Sequence, residues 1–309
     1  MRIVFMGTPD AAVPSLRRLL VDGHEVVAVW TQPDRPAGRG KRLHQSPVKE
    51  FAVQHNLPVH HPLKIRTQEA QELFASAAAD AAVVVAYGRI LPAAFLDAQP
   101  QGCINVHFSL LPKYRGAAPV NWAIVEGETE TGVTTMRIVA ELDAGPILLQ
   151  STTEIGVSET APELMKRLAA SGADLLSETL EKIDHVEPKP QHHQDASFAP
   201  MLKRADGLID WTTEAREIER RVRGFQPWPN AYTTLNSRRL IIREAATEIL
   251  DQARVQPGQV VEAHGDRLII ACGAATALRI LELQPEDSRR MSTRDFLNGS
   301  HIKMGGLLG

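Results

Sequence analysis

Cysteine is scarce: the chain has only Cys103 and Cys272, far apart and outside any metal-ligand pattern. A disulfide framework is therefore excluded and no metal is expected, which fits a reducing, cytoplasmic compartment. Long apolar runs are also missing. No stretch approaches the roughly 18 residues of a spanning helix, and the opening MRIVFMGTPD turns at Gly-Thr-Pro too soon for a signal peptide. No membrane partner is expected. Charge of one sign is lacking too: 34 basic and 37 acidic residues leave a net charge of -3. Such a chain has no global attraction to a polyanion, so nucleic acid would have to be met by a local patch. Finally, the turn after the first apolar run carries Gly7 alone rather than Gly-x-Gly-x-x-Gly. This counts against a nicotinamide-dependent oxidoreductase and reads as a tight strand-to-helix turn. There is no internal repeat or low-complexity tract.

What is present is a soluble composition, 43% hydrophobic and 23% charged, in 309 residues, enough for two domains. Apolar strand-like runs (RIVF, EVVAVWT, AAVVVA, GCINVH) alternate with helical segments over about the first 180 residues, the pattern of an α/β fold with a doubly wound, mainly parallel sheet. SPVKEFAVQHN opens a helix with a serine cap and proline at the first position. GVTTMRIV and PILLQSTTEI read as an antiparallel pair at the sheet edge, before a long helix from Ala161 to Ile183. HVEPKPQHHQDASFAPMLKRADG then shifts to proline, histidine and polar residues, as an interdomain linker would. Beyond it lie one helix and several short strands, with Gly-Asp in VVEAHGDRLII as a hairpin turn. A small closed or partly closed β-barrel is the natural way for such strands to avoid exposed edges. The expected organisation is a catalytic domain at 1–184, a linker at 185–206 and a C-terminal barrel of the OB type at 207–309.

The chemistry concentrates in INVHFSLLPKYRGAAP, residues 104–119. Strand side chains alternate, so Asn105 and His107 share one face while Ile104, Val106 and Phe108 share the other. Ligands of open α/β sheets bind beyond the carboxyl ends of strands, and this pair sits at such an end. An amide beside an imidazole can donate two hydrogen bonds to an oxygen gaining negative charge. Equally, Asn105 can simply end a strand while His107 bonds a backbone carbonyl. Asp143, in VAELDAGPILL, lies in a glycine-containing turn between two apolar strands, where a carboxylate has no packing role. Near His107 it would orient the ring and favour its charged form; Asp-Ala-Gly is also an ordinary turn sequence.

Asn-x-His followed by Ser-Leu-Leu-Pro, then YRGAAP and Leu-Asp-x-Gly, resembles the folate-dependent formyltransferase family. FMGTPD, TQPDRPAGRGKRL, SPVK, VVVAYGRILP, ETGVTTM, RADGLIDW and GFQPWPNAY extend the likeness over almost the whole chain, toward the branch whose acceptor is methionyl-initiator tRNA. The resemblance implies a formyltransferase-like Rossmann variant followed by a barrel. It implies Asn105, His107 and Asp143 as the catalytic trio, and 10-formyltetrahydrofolate as co-substrate. Ser109, Leu110, Leu111 and Pro112 would form one wall of the folate site; Tyr87, Gly88 and Ile90, from AYGRILP, would form the other, although Tyr87 and Ile90 could equally be core. Phe108 falls on the face away from His107 and is expected to pack there.

Residues 33–49, PDRPAGRGKRLHQSPVK, hold Arg35, Arg39, Lys41, Arg42 and Lys49 against Asp34 alone, in a loop with no apolar period. Beside a formyl-transfer site this basic loop matches the family's insertion for the acceptor end of the tRNA, with Arg39, Lys41 and Arg42 as the contacts. The strip Arg216, Arg220, Arg221 and Arg223 is interleaved with Glu214, Glu217 and Glu219, as on an ordinary solvated face. A formyltransferase acting on an amino sugar nucleotide would not need the basic loop, and one acting on glycinamide ribonucleotide would not need the last 100 or so residues. A non-catalytic RNA-binding protein on this scaffold would not need the intact trio. No self-pairing surface is visible, so a monomer is expected.

Overall fold

The computed structural model describes residues 1–37, 42–250, 255–300 and 302–309. In chain order the first 200 residues form β1 (Arg2–Gly7), α1 (Val13–Val21), β2 (Glu25–Trp30), β3 (Arg35–Ala37), β4 (Arg42–His44), α2 (Pro47–Gln54), β5 (Val59–His60), α3 (Gln68–Ala75) and β6 (Ala81–Val85). Then come α4 (Ala93–Leu96), β7 (Cys103–His107), β8 (Arg115–Gly116), α5 (Pro119–Glu126), β9 (Glu130–Arg137), β10 (Ile147–Glu154), α6 (Ala161–Glu181) and β11 (Phe198–Ala199). The chain folds as two compact units. The first is Met1–Pro119, Glu130–Glu154 and Met165–Pro200; the second is Val120–Thr129, Ile155–Leu164 and Met201–Gly309.

The first unit is built on a sheet of order β10-β9-β7-β6-β1-β2-β5. The strands from β7 to β5 are parallel, and β9 and β10 pair antiparallel at one edge. Strand order reverses between β1 and β6, which is where an open α/β sheet leaves a crevice beyond its carboxyl ends. The continuous apolar runs of β1 and β6 follow from burial on both faces. On one face Trp30, Phe74 and Phe95 meet edge-on or stacked at 4.0–5.5 Å, around Val4, Met6, Val84 and Cys103. Such ring pairs add about 0.5–1.5 kcal/mol each beyond area burial. On the other face Val106 and Phe108 lie against Gly172 of α6, where an added Cβ would meet them at 3.0 and 3.4 Å. Phe108 is thus a packing residue on the side away from His107.

Local signals set the helix starts. Ser46 Oγ accepts the Lys49 N–H at 3.1 Å, with Pro47 opening α2; such a cap contributes about 1 kcal/mol. Gly7 is constrained by space, since a Cβ there would lie 2.9 Å from Ala12 Cβ and 2.8 Å from the Phe5 ring. Within the basic stretch after β2 the described residues 35–37 and 42–44 pair antiparallel, Arg35 facing His44 and Ala37 facing Arg42, where the composition suggests an unpaired loop.

In the second unit, α7 (Ala215–Gly224) packs on an antiparallel sheet made of β12 (Tyr232–Leu235), β13 (Arg238–Ile249), β14 (Val260–His264), β15 (Arg267–Ala271), β16 (Thr276–Pro285) and β17 (Met291–Ser292), followed by α8 (Thr293–Gly299). The core gathers Ile218 and Val222 of α7 with Leu240, Ile242, Leu268, Ile270, Leu278 and Ile280. The expected hairpin turn is present, Gly265 at φ +60° joining β14 to β15. The path runs β12-β13-β16-β15-β14, and main chain from the C-terminal segment engages both of its ends. Val260 N–H donates to Gly306 O at 2.8 Å and Leu308 N–H to Gly258 O at 2.9 Å on the β14 side, while Gly309 N–H donates to Thr234 O at 3.1 Å on β12. That segment covers edges which would otherwise be open to pairing. No helix among the described residues is long and apolar enough to cross a membrane.

Candidate active site

The site is built at the carboxyl end of β7. Asn105 pairs with Met136 and His107 with Thr134 across β9, so alternation puts Asn105, His107 and Thr134 on the face shared with Cys103. Asn105 is half-buried, and its amide has no hydrogen-bond partner among the described residues. A carboxamide left without partners at a strand tip is available to a ligand. His107 is buried; its Nε2–H donates to the Tyr114 carbonyl at 2.9 Å, because a carbonyl can only accept. Its other nitrogen, Nδ1, faces Asp143 Oδ2 at 3.9 Å. This gap is too wide for a direct hydrogen bond and falls within ion-pair distance.

Asp143 therefore does reach His107. Its residue adopts φ +50°, and its Oδ2 accepts the Gly116 N–H at 2.9 Å. Gly116 has φ +125°, and a Cβ there would sit 2.5 Å from the Ala199 carbonyl oxygen, so only glycine fits. The backbone of the same turn is held by Gln191, which donates to Asp143 O at 2.9 Å and Gly145 O at 2.7 Å. Gln191 in turn accepts from Arg115 Nε and Nη2 at 3.0 and 2.8 Å. Neither Arg115 nor Gln191 stands out in the sequence as a site residue: the first lies inside YRGAAP and the second in the stretch read as a linker, whose residues up to Pro200 belong to the first unit.

The Ser-Leu-Leu-Pro loop is fixed by Thr134. Its fully buried hydroxyl donates to Ser109 O at 2.7 Å and accepts from Leu111 N–H at 3.1 Å and Gln150 Nε2 at 2.9 Å. Gln150 also donates to Leu111 O at 2.9 Å. Of the expected folate walls, Leu110 and Pro112 are half-buried and Ile90 is 64% exposed, so all three have surface to offer. Ser109, Leu111 and Tyr87 are buried at 0%, 3% and 1%. Ser109 spends its hydroxyl on Lys113 O at 2.7 Å. Tyr87 sits in the Trp30–Phe95 cluster, with a hydroxyl that has no partner and is pushed by burial up to about 12. What Tyr87 and Gly88 present is main chain: Gln32 Nε2 ties both carbonyls at 3.1 and 3.0 Å, and Gly88 takes φ +79°. Cys103, on the Asn105 face, is no nucleophile, since burial, helped by Asp97, pushes its thiol up to about 12.

Arg39 and Lys41 lie outside the described residues, and of Arg42 the backbone in β4 is described. Nearby, Lys49 is neutralised by Asp34 at 2.8 Å, and Arg35 bonds Gln32. Along α7, Arg223 is paired with Glu219 at 2.5 Å and donates to Glu159 O, while Arg220 donates to Glu126 O at 3.4 Å. These two arginines serve their own unit.

Residues 1–180 match the formyl transferase family and residues 201–301 the formyl transferase C-terminal domain family. A methionyl-tRNA formyltransferase of Citrifermentans bemidjiense is 48% identical over 311 positions, covering 100% of this chain and 96% of that protein. The chain belongs to the methionyl-tRNA formyltransferase family. The Bacillus subtilis member is 44% identical, with 100% of this chain and 98% of that protein covered. Among solved structures, the sugar 3N-formyltransferase WlaRD, crystallised with dTDP and 5-N-formyl-THF, superposes with a TM-score of 0.67 at 20% identity, over 94% of this chain and 99% of its own. An N-formyltransferase from Helicobacter canadensis, in complex with folinic acid and dTDP-3-aminofucose, gives 0.66 at 19%, over 90% and 98%. At such identities these two share the fold with the family.

Proposed function

We propose that this protein transfers the formyl group of 10-formyltetrahydrofolate to the α-amine of methionyl-initiator tRNA. The approach of Asp143 to His107 at 3.9 Å, beside the unpartnered Asn105, carries the chemistry. The full-length likeness to methionyl-tRNA formyltransferases supports the acceptor. The amine nitrogen attacks the formyl carbon, and its carbonyl oxygen becomes an oxyanion. Asn105 donates to that oxygen, and so does His107 through Nδ1, since Nε2–H is committed to Tyr114. Asp143 takes the amine proton through a water. The bond from the formyl carbon to N10 then breaks and the electron pair stays on N10, which receives the proton that Asp143 took from the amine, returned through the water, leaving tetrahydrofolate and a regenerated carboxylate. No covalent enzyme intermediate is required, because the amine is already a nucleophile. Leu110, Pro112 and Ile90 offer apolar surface for the flat pterin and its linker, with Gly88 contributing backbone. The buried Ser109, Leu111 and Tyr87 hold those walls from behind.

An acceptor panel tests the reading. With 10-formyltetrahydrofolate in excess, charged initiator tRNA should be formylated in strong preference to charged elongator tRNA and to a 4-amino sugar nucleotide. Preference for the sugar would overturn the assignment, and absence of any formyl transfer would favour a non-catalytic RNA binder.

For the RNA we assign Arg39, Lys41 and Arg42 to the acceptor end of the tRNA, and to the C-terminal domain a supporting part in holding it. Changing Arg39 and Arg42 together to alanine should raise the KM for tRNA and reduce the slope of its logarithm against log salt by about 2, near 0.9 for each phosphate no longer neutralised. An unchanged slope would return residues 33–49 to ordinary solvated surface. The protein is expected to act as a monomer in the cytoplasm, which sedimentation of the purified chain would check for its oligomeric part.

A further inference from the structure

We propose that Gln191 is a positioning residue for formyl transfer, bracing the turn that carries Asp143. The inference rests on the catalytic reading above. Gln191 lies between Lys189, which exchanges main-chain hydrogen bonds with Ile147 at 2.8 Å, and a short 3-10 helix at His193–Asp195, 48 positions from Asp143 and 76 from Arg115; it is 8% exposed and every valence of its amide is used. Its two N–H groups go to Asp143 O and Gly145 O, at 2.9 and 2.7 Å, and its oxygen takes two N–H groups of Arg115, itself 2% exposed.

The choice of an amide is informative. If residue 191 served only to satisfy the buried guanidinium, a glutamate would do it better, because a carboxylate accepts the same two bonds and supplies the countercharge. The charge near Arg115 is supplied instead by Glu141, at 3.5 Å and mostly exposed. What glutamine has and glutamate lacks is the NH2 group, and that group is spent on the two carbonyls flanking Ala144. These bonds fix a turn in which Asp143 holds the left-handed φ of +50°, uncommon for a residue with a side chain. Without them the turn keeps only its own main-chain bonds, Arg137 N–H to Pro146 O at 2.9 Å and Ala144 N–H to Glu141 O at 3.4 Å, and the carboxylate keeps the Gly116 N–H at 2.9 Å. A carboxylate that must meet a proton at a defined point loses rate steeply with small displacement, on the order of 10²-fold for 1 Å.

Gln191→Glu keeps the acceptor side and removes the donors, setting carboxylate oxygen against carbonyl oxygen. It should lower kcat by about 10- to 100-fold with the KM of both substrates within about twofold. Gln191→Met, close in length and free of a buried charge, should act in the same direction and covers the case in which the glutamate variant folds poorly. In an Asp143→Asn background neither change should lower kcat further, since the group being positioned is already gone. An equal loss in both backgrounds, or an unaltered kcat in the single variants, would overturn the proposal. Amide hydrogen exchange over residues 138–146 reads the brace without the reaction: it should accelerate in the Gln191 variants while β6 and β7 stay protected. Unchanged exchange there would sink the brace even in an active enzyme. Accelerated exchange in a protein that formylates no tRNA would support the brace and count against the functional assignment alone.

Discussion

Replacing Asp143 by alanine should cut turnover about 10²- to 10⁴-fold, the range of a lost general base, while the KM for tRNA and for the folate changes little. Steady-state kinetics with each substrate in excess check both halves. The carboxylate has two duties, one toward the reaction and one toward the Gly116 N–H at 2.9 Å. Leaving that partly buried donor without an acceptor costs about 1–3 kcal/mol, so the alanine variant should also melt earlier. Asp143→Asn separates the duties: its amide oxygen can still accept from Gly116, but it carries no charge for His107 and takes up no proton. It should retain the melting temperature and share the loss of turnover. Asparagine and alanine variants both turning over at the native rate would remove Asp143 from the chemistry.

The second large effect concerns Asn105. Its truncation to alanine should lower kcat by about 10²–10³, as for other donors to a developing oxyanion. Here stability should hold, because the side-chain amide makes no hydrogen bond to the described residues and its removal leaves none broken. Asn105→Asp should be worse than alanine, placing a negative charge where the oxyanion forms. Should the loss fall on the KM of the folate with kcat intact, Asn105 would be a binding residue rather than a donor in the transition state.

Much of this scaffold is written locally. The Ser46-Pro47 helix start, the Gly265-Asp266 hairpin, the antiparallel pair β9 and β10, and the shared face of Asn105 and His107 each follow from a few adjacent residues. What local pattern does not contain is the convergence of Asp143 on His107, where Gln191 arrives from 48 positions beyond Asp143 to hold its turn and meet Arg115. Tyr87 shows the same limit in another form. Ala82 and Val84 face the Trp30 cluster, so alternation would send residue 87 to the opposite side; the positive φ of Ala86, 46°, inverts the chain and turns Tyr87 into that cluster. No residue type at position 86 announces such a turn, since alanine rarely adopts it. Apolar character marks the walls of the folate site in the sequence, but it does not distinguish a side chain that lines a pocket from one that supports its lining.

Position 116 limits how this molecule can diverge. One main-chain nitrogen seats the carboxylate, and the carbon beside it has no room for a substituent because the Ala199 carbonyl already occupies the place. Descendants that remodel the strand at 198–199 must reseat the acid by some other route or lose it. Selection on the reaction thus reaches the main chain of residue 199 through the residue that seats the acid.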